Sequence, residues 1–416
     1  MTAPKPTWPD SVIWWHCYPL GFVGAERHRI DHIEHRLGRL GNWLGYLIEL
    51  GANGLLLGPI FDSASHGYDT LDHYRIDARL GDEADFDALL AAAKARGVRV
   101  LLDGVFNHVS ADHEIVTRAI ASGPGSVDGD WIRWVDGYPR GFEGNLDLVE
   151  LNLANPAVQD YVVDVMSHWL DRGIDGWRLD AAYAPGADAW APIVARVRAD
   201  HPDAWLLAEV IHGDYAGFQA ASGVDSVTQY ELWKAIWSSL SDRNPHELAW
   251  SLQRHAEFCE SFRPQTFLGN HDVTRIATRL DDPARLRLAT VLLGLLPGVP
   301  SVYAGDEQGF TGEKTENSTG DDAVRPPFPE DPAGLLGFGR PVFEHYQEVL
   351  GLRRRHPWLV SARLTVAEVT QEGLTIELSG DGGRLGLALN FTDRPVVLHL
   401  WDAEVRIDGC DYRVVG

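Results

Sequence analysis

The residues best suited to chemistry in this sequence are acids that end apolar runs. The stretch Gly173-Ile174-Asp175-Gly176-Trp177-Arg178-Leu179-Asp180 leads from the end of a helix, through a short buried strand, to a carboxylate. Arg178 and Asp180 are two residues apart, so on a strand they project to the same side, where a guanidinium favours an ionised carboxylate. The same pair is equally typical of a structural ion pair.

Three further apolar runs end in the same way. They are Leu102-Asp103-Gly104-Val105-Phe106-Asn107-His108, Leu207-Ala208-Glu209-Val210 and Phe267-Leu268-Gly269-Asn270-His271-Asp272. Acids at or just past four strand ends predict one cluster of carboxyl groups. Two carboxyl groups roughly 5–5.5 Å apart can cleave a glycosidic bond with retention, because one attacks the anomeric carbon and the other protonates the leaving oxygen.

Together the four stretches resemble the signatures of the α-amylase family, glycoside hydrolase family 13, in residue type, order and rough spacing. The resemblance implies that Asp180 is the nucleophile, Glu209 the general acid/base and Asp272 the carboxylate that holds sugar hydroxyls. Arg178 is expected to keep Asp180 ionised. The apolar residues before Glu209 favour a raised pKa for that acid. Asp103 is expected to organise the loop and the arginine.

The resemblance also implies a set of residues that bind the sugar in subsite −1. Two of them are family histidines, and a neutral imidazole can both donate to and accept from a hydroxyl. The segment Ser65-His66-Gly67-Tyr68-Asp69 resembles a family segment in which the tyrosine stacks on the sugar. Arg325, in the loop Asp321–Pro326, either reaches the site or forms a surface ion pair. The predicted substrate-binding residues are Tyr68, Asp69, His108, Arg178, His271 and Arg325.

One segment indicates a branch of the family. Val149-Glu150-Leu151-Asn152 is similar to the Met-Pro-Lys-Leu-Asn segment of neopullulanases and cyclomaltodextrinases, and the motifs are closest to these enzymes and to oligosaccharide-active α-glucosidases. Tyr183-Ala184 stands where starch-liquefying relatives often carry Lys-His. The N-terminal domain of the cyclomaltodextrinase type has no counterpart in this sequence. These departures argue against specialisation for large starch and against that group's dimer, and they leave the oligomeric state open.

Alternating strands and helices are expected to bring the acids together. Eight strand and helix pairs predict a (β/α)8 TIM barrel with its active site at the C-terminal ends of the strands. The first helix is predicted over 31–50. The predicted strands lie at 12–16, 53–57, 98–106, 176–180, 205–209, 227–230, 265–268 and 299–303.

Two regions interrupt or follow this alternation. The segment 109–152 is rich in Gly, Pro and Asp, which predicts a short B-domain insertion after the third strand. After residue 357 the apolar pattern has period two, which predicts a C-terminal antiparallel β-sandwich. The predicted domains are the first part of the barrel (1–108), the B insertion (109–152), the second part of the barrel (153–356) and the C-terminal sandwich (357–416).

Composition limits the classes of partner. Of 416 residues, 36 are Lys or Arg and 60 are Asp or Glu, giving a net charge of −24. Such a surface repels nucleic acid and anionic membranes and suits a neutral oligosaccharide. The three cysteines are far apart, which indicates a reducing compartment. The N-terminus has no basic-then-apolar signal, and no apolar run approaches the roughly 18 residues of a membrane span. A cytoplasmic protein is therefore expected.

No cofactor is expected, because the sequence contains no phosphate-cradling or dinucleotide-binding motif. Asn107 corresponds to a calcium ligand in many α-amylases. The insertion offers Asp128, Asp130 and Asp136 without a recognisable calcium loop, so calcium is permitted but not favoured.

The sequence thus predicts a glycosidase that cleaves α-glucosidic bonds, mainly α-1,4, of malto-oligosaccharides through a covalent glycosyl-enzyme. Two alternatives stay open. A transglycosylase or a glucosyl isomerase would use the same three acids, since water and sugar compete for the same intermediate. A non-catalytic barrel that serves as a binding subunit is disfavoured because all three acids are present.

Overall fold

The computed structural model describes residues 7–316 and 320–416. Residues 1–6, on which the expected lack of a targeting signal partly rests, lie outside the described residues. The strands are β1 (Trp14–Cys17), β2 (Gly54–Leu57), β3 (Phe61–Ser63), β4 (Thr70–Ile76), β5 (Arg99–Gly104), β6 (His108–Ser110), β7 (Trp134–Val135), β8 (Tyr138–Pro139), β9 (Gly141–Phe142), β10 (Asn145–Glu150), β11 (Gly176–Leu179), β12 (Trp205–Ala208), β13 (Ser226–Val227), β14 (Gln265–Phe267), β15 (Val299–Tyr303), β16 (Arg363–Val369), β17 (Gly373–Gly380), β18 (Gly383–Asn390), β19 (Val396–Leu400), β20 (Ala403–Ile407) and β21 (Tyr412–Val415). The α-helices are α1 (Pro19–Phe22), α2 (Gly38–Asn42), α3 (Leu44–Leu50), α4 (Glu83–Ala95), α5 (Glu114–Ser122), α6 (Pro156–Arg172), α7 (Ala187–Asp200), α8 (Tyr215–Ser222), α9 (Tyr230–Asp242), α10 (Pro245–Ser261), α11 (Ile276–Leu280), α12 (Pro283–Leu295) and α13 (Arg340–Arg355).

Eight parallel strands form the barrel, in the order β13-β12-β11-β5-β2-β1-β15-β14. A parallel bridge between Thr228 and Gln265 joins the two ends of this sheet. The backbone N–H of Gln229 donates to the carbonyl of Gln265 at 2.9 Å and completes the closure. The predicted TIM barrel is confirmed.

The interior of the barrel explains why its polar residues gather at one end. Apolar side chains from several strands, among them Trp14, Leu101 and Leu207, pack together inside the barrel. Side chains two residues apart on a strand share a face. The side chain of Asp103 therefore lies on the same interior face as that of Leu101, two residues nearer the C-terminal end of the strand. The side chain of Glu209 has the same relation to that of Leu207.

The helix before β11 ends where the sequence predicts. Asn155 caps α6 by accepting a hydrogen bond from the N–H of Ala157 at 3.0 Å, and Pro156 occupies the first helical position. Gly173 ends the helix with φ of 104°, a left-handed conformation that favours glycine. The chain then turns directly into the strand that carries Arg178.

The predicted first helix over 31–50 is wrong at its N-terminal end. Only α2 and α3, from Gly38 onward, are helical. Before Gly38 the backbone bonds to another loop: the N–H of Glu34 donates to Ala78 and that of Arg36 donates to Leu80. These bonds to distant residues replace the bonds within a helix, so apolar spacing alone extends the predicted helix too far.

Additional strands surround the barrel. The antiparallel pair β3–β4 follows β2 and is absent from the predicted elements. Within 109–152 the chain forms α5 and an antiparallel sheet in the order β6-β10-β9. The C-terminal region forms a sheet in the order β16-β17-β18-β21 and the pair β19–β20, of which β20 and β21 extend the predicted set. Within the described ranges, every helix is too short or too polar for a transmembrane segment.

Candidate active site

Strand register places three acids around one guanidinium. Arg178 pairs with Asp103 across β11 and β5, while Asp180 and Glu209 are the first residues beyond β11 and β12. Arg178 Nη1 lies 2.7 and 2.6 Å from the two carboxylate oxygens of Asp103 and 3.2 Å from Oδ1 of Asp180. Its Nη2 lies 2.6 Å from Oε1 of Glu209. All four side chains are buried, so the guanidinium offsets the repulsion between the acids.

The expectation that Arg178 keeps Asp180 ionised is wrong. Burial and repulsion from Glu209 raise the pKa of Asp180 well above its usual range, and Arg178 only opposes them. The reason is geometric, since Arg178 makes its shorter contacts with Asp103 and Glu209. Burial also raises the pKa of Asp103 against the influence of Arg178. Burial thus opposes the ionisation of both Asp103 and Asp180, although both contact Arg178.

Glu209 is held by groups that the sequence reasoning missed. The Tyr230 hydroxyl donates to Glu209 Oε1 at 3.0 Å, and the amide of Asn270 donates to that hydroxyl at 2.8 Å. The backbone N–H of Ala181 donates to Oε2 at 3.0 Å. Ala181 has φ of 44°, which is uncommon for a residue with a Cβ and is typical of functional sites. Tyr230 is the first residue of α9, three positions after the sixth barrel strand ends at Val227, and a place so close to a strand end is the signal that could have identified it.

Asp272 has the opposite electrostatic surroundings. Its Oδ2 lies 2.9 Å from Nε2 of His271, and its Oδ1 lies 2.9 Å from Nη2 of Arg325. Arg325 also donates from Nε to the carbonyl of His271 at 2.8 Å. Burial in the cleft works against ionisation of Asp272, but His271 and Arg325 outweigh it and hold its pKa well below its usual range. Arg325 therefore reaches the site, and it also pairs with Asp321 at 2.9 Å.

An aromatic stack forms one wall of the site. Tyr68 and Tyr18 each stack on the ring of His271, with centroid distances of 5.2 and 5.8 Å. The Tyr68 hydroxyl donates to Asp103 Oδ2 at 3.0 Å and also contacts Nε2 of His271. Tyr18 directly follows the first barrel strand and, like Tyr230, could have been found from that position. The stack connects the acids around Arg178 with Asp272.

His108 is neutral and is poised to donate a hydrogen bond. Burial and the neighbouring His66 lower its pKa to about 3. Its Nδ1 accepts from the side-chain amide of Asn107 at 3.2 Å, which leaves the proton on Nε2. Nε2 is buried and has no side-chain partner within the described residues, and the Tyr68 backbone acts on the ring and opposes the lowering of its pKa. Phe142 from the insertion stacks on the His108 ring at 4.5 Å and holds it in place.

A cleft of about 970 Å³ lies above these residues. The three predicted catalytic acids, Asp180, Glu209 and Asp272, line this cleft. Tyr68, His108 and Arg325 line it as well. Arg178 and His271 lie behind this surface and contact the acids. At the rim, the Tyr183 hydroxyl donates to Glu143 of the insertion at 2.7 Å and joins the insertion to the barrel.

Asp69 has a different position from the other predicted binding residues. It is buried, and its Oδ2 accepts from the Ser65 hydroxyl at 2.6 Å. This bond closes the loop that presents Tyr68. Asp69 is not part of the cleft surface in the described chain, so its geometry supports the loop rather than direct contact with substrate.

Asp128, Asp130 and Asp136 of the insertion are not among the acid and histidine side chains that converge within the described residues. Among the described residues, the only three acid or histidine side chains that converge as ligands are His35, Asp82 and Asp85. Asp82 and Asp85 form the capping box of α4, which accounts for their proximity. The side-chain amide of Asn107 is bonded to His108. This bond uses the Asn107 amide nitrogen and leaves its oxygen unassigned, so the expectation that calcium is permitted but not favoured stays a prediction.

Comparison with known proteins identifies a family and several relatives. The family profile "Alpha amylase, catalytic domain" matches residues 37–339. The chain is 29% identical over 343 residues to intracellular maltogenic amylase of Bacillus subtilis, covering 75% of this chain and 58% of the relative. It is 31% identical over 329 residues to neopullulanase 2 of Thermoactinomyces vulgaris, covering 75% and 54%. The chain therefore spans just over half the length of these curated relatives.

A solved structure matches over nearly the whole length of both chains. The cyclic α-maltosyl-(1→6)-maltose hydrolase of Arthrobacter globiformis superposes with a TM-score of 0.86 and 26% identity, covering 99% of each chain.

A further relative matches by sequence. The cyclomaltodextrinase of Geobacillus thermopakistaniensis is 30% identical over 359 residues, covering 81% of this chain and 57% of the relative. These relatives include the branch that the segment 149–152 indicates.

Proposed function

We propose that this chain, which belongs to the α-amylase family, is a retaining glycoside hydrolase that cleaves α-1,4-glucosidic bonds of short or cyclic malto-oligosaccharides. The observation that carries the proposal is the pairing of Asp180 and Glu209 on the two terminal nitrogens of Arg178, at the floor of an open cleft. Two carboxyl groups on one guanidinium lie side by side, as cleavage with retention requires.

In the first step, Glu209 donates its proton to the glycosidic oxygen and the Asp180 carboxylate attacks the anomeric carbon. The bond from that carbon to the leaving oxygen breaks, and a covalent β-glycosyl ester forms on Asp180. Positive charge develops on the sugar beside Asp180 during this step and favours the ionised form of this carboxyl group, whose ionisation burial opposes.

In the second step, Glu209 is a carboxylate and takes a proton from water as the water attacks the anomeric carbon. The ester bond to Asp180 breaks and the product leaves with the α configuration. The Tyr230 hydroxyl and the Ala181 N–H hold Glu209 in place through both steps. Glu209 gives up one proton in the first step and takes up one proton from water in the second, so it ends the cycle protonated as it began.

The other residues on the cleft surface bind the sugar at the reacting carbon. Asp272, ionised through His271 and Arg325, accepts hydrogen bonds from hydroxyls, and His108 donates from Nε2. The Tyr68 ring offers an apolar face to the sugar. Arg178 and Asp69 are assigned positioning roles: Arg178 orients the acids, and Asp69 supports the loop of Tyr68.

The rim of the cleft and the relatives both favour short or cyclic malto-oligosaccharides as substrates. The hydrogen bond between Tyr183 and Glu143 joins the short insertion to the barrel beside the cleft, and a cleft bordered by a short insertion suits short or cyclic chains better than starch granules. The relatives are named for maltogenic, neopullulanase and cyclomaltodextrinase activities, and the full-length structural match is a hydrolase of a cyclic maltosyl-maltose. A cytoplasmic location is part of the proposal, because one relative is named intracellular and the three cysteines are free.

The proposed reaction needs no cofactor, because the acid, the base and the nucleophile are all carboxyl groups of the chain. Activity and melting temperature should therefore not change after dialysis against a chelator. A fall in either quantity that added calcium restores would contradict this part of the proposal.

Product analysis tests the proposed function. Purified protein is incubated with maltose, maltotriose, a cyclodextrin, pullulan, isomaltose, sucrose and trehalose, and the products are separated by chromatography. Cleavage of maltotriose and the cyclodextrin to maltose and glucose is expected, with Asp180→Asn as the inactive control. Conversion of maltose to trehalose or to longer saccharides would instead favour isomerisation or transfer, and activity on sucrose alone would reject the substrate class.

A further inference from the structure

A second groove adjoins the active cleft, and most of its wall takes no part in the chemistry described above. It has a volume of about 410 Å³ and shares the wall residues Ile211, Tyr230 and Trp233 with the cleft. Beyond them it runs along α9 and α10 and ends beside Trp250. We call it the Trp250 groove.

Trp250 is a large aromatic side chain held at the surface. Its side chain is 60% exposed although it borders a groove. The guanidinium of Arg254 lies over the ring, 5.2 Å from its centroid. Arg254 is itself fixed by two hydrogen bonds to the Glu231 carboxylate, at 2.8 and 3.0 Å. Because Arg254 covers one face of the ring, a sugar would stack on the opposite face, which is apolar and held in a fixed orientation.

The charges along the groove are already paired with each other. Lys234 Nζ lies 2.5 Å from Glu247 Oε1, which also accepts from the Ser238 hydroxyl at 2.8 Å. Glu231 is paired with Arg254. A charged ligand would have to break these pairs, whereas a neutral molecule can use their exposed oxygen and nitrogen atoms for hydrogen bonds. Aromatic walls with paired polar groups therefore suit a neutral polyhydroxylated ligand.

We propose that the Trp250 groove binds glucose units on the leaving-group side of the scissile bond, with one sugar ring stacked on Trp250. The inference rests on the proposed function and adds the direction of the bound chain. Tyr230, which forms part of both walls, donates to Glu209 at 3.0 Å. Because Glu209 protonates the leaving oxygen, the sugars beyond that oxygen lie on its side of the cleft, and the Trp250 groove continues from there.

The test compares two substrates that differ in their leaving groups. Maltoheptaose has glucose units on the leaving side, whereas 4-nitrophenyl α-maltoside has only nitrophenol there. Trp250→Ala should lower the ratio of kcat/KM for maltoheptaose to kcat/KM for the nitrophenyl substrate about fivefold, and Trp250→Phe should restore most of it. Phe338→Ala is the matched control, because Phe338 is 66% exposed and lies outside both grooves; it should leave the ratio unchanged.

A binding experiment separates this inference from the proposed function. Maltoheptaose is titrated into Asp180→Asn by calorimetry, with and without Trp250→Ala. The inference predicts that Trp250→Ala raises Kd about fivefold. An unchanged Kd and an unchanged kcat/KM ratio, in a protein that cleaves maltoheptaose, would overturn the groove alone. Absence of maltoheptaose binding and cleavage in the unsubstituted protein would overturn the proposed function, and the groove with it.

Discussion

The floor and the rim of the cleft are built differently. At the floor, Asp103, Arg178 and Glu209 stand at the ends of paired barrel strands, buried and joined by contacts of 2.6–2.7 Å. At the rim, Tyr183 meets Glu143 through one hydrogen bond between two loops. The register of the paired strands determines where the floor residues lie, whereas the conformations of two loops determine where the rim residues lie. The comparison indicates that the floor determines the reaction and the rim determines which substrate reaches it.

The largest expected effect comes from the acids of the floor. Asp180→Asn and Glu209→Gln should each lower kcat by about a thousandfold or more, because each removes a group that makes or breaks a bond. Circular dichroism should show an unchanged fold. Asp402→Asn, an exposed acid near β20, is the control with normal kcat. Near-normal turnover in either floor variant would remove that residue from the mechanism.

A second prediction concerns stability and has opposite signs for two acids of the same site. The pKa of Asp180 is raised in the folded protein, so its ionisation destabilises the fold as pH rises above its unfolded value of about 3.9. The pKa of Asp272 is lowered, so its ionisation stabilises the fold above that value, and this contribution is lost as pH falls. At pH 7, Asp180→Asn should raise the melting temperature and Asp272→Asn should lower it, each by about 1–3 °C.

Thermal unfolding followed between pH 3 and pH 8 checks both signs. The difference in melting temperature between each variant and the unsubstituted protein should shrink toward zero as the pH falls, because both carboxyl groups become protonated in the unfolded chain. A decrease in melting temperature for Asp180→Asn at pH 7 would show that Arg178 outweighs burial after all, as the sequence alone suggested.

The smallest effect is expected at the rim. Tyr183→Phe removes one exposed hydrogen bond to Glu143 and keeps the ring. It should change KM for maltotriose about two- to threefold, with kcat almost constant. A loss of kcat as large as that of the floor variants would show that the rim takes part in the chemistry and that the two regions are not separable.

Much of the floor is predictable from the sequence, for a physical reason. Polar residues are rare within buried strands, so Asp103, Arg178 and Asp180 at the ends of apolar runs are conspicuous, and a parallel barrel must bring its strand ends together. The barrel itself follows from the alternation of short apolar runs and amphipathic helices. The helix cap at Asn155 and Pro156 is likewise local information, since both residues act within one helical turn.

The features of the fold and the site that the sequence does not predict depend on contacts between residues far apart in the chain. Burial and the neighbouring Glu209 raise the pKa of Asp180 although Arg178 opposes them, and no local sequence pattern contains that balance. The bond from Tyr230 to Glu209 joins residues 21 positions apart, after separate strands. The stretch before Gly38 bonds to residues 78 and 80, so its apolar spacing misleads. Each of these features arises only when the barrel has closed.

The stereochemistry of cleavage tests the central claim most directly. Maltotriose or 4-nitrophenyl α-maltoside is mixed with the protein, and the first-formed anomer is followed by proton NMR before mutarotation equilibrates the product. If Asp180 forms a covalent bond to the sugar, the α-anomer appears first. If the β-anomer appears first, water attacks the substrate directly, Asp180 is not the nucleophile, and the pairing of Asp180 with Glu209 on Arg178 has another purpose.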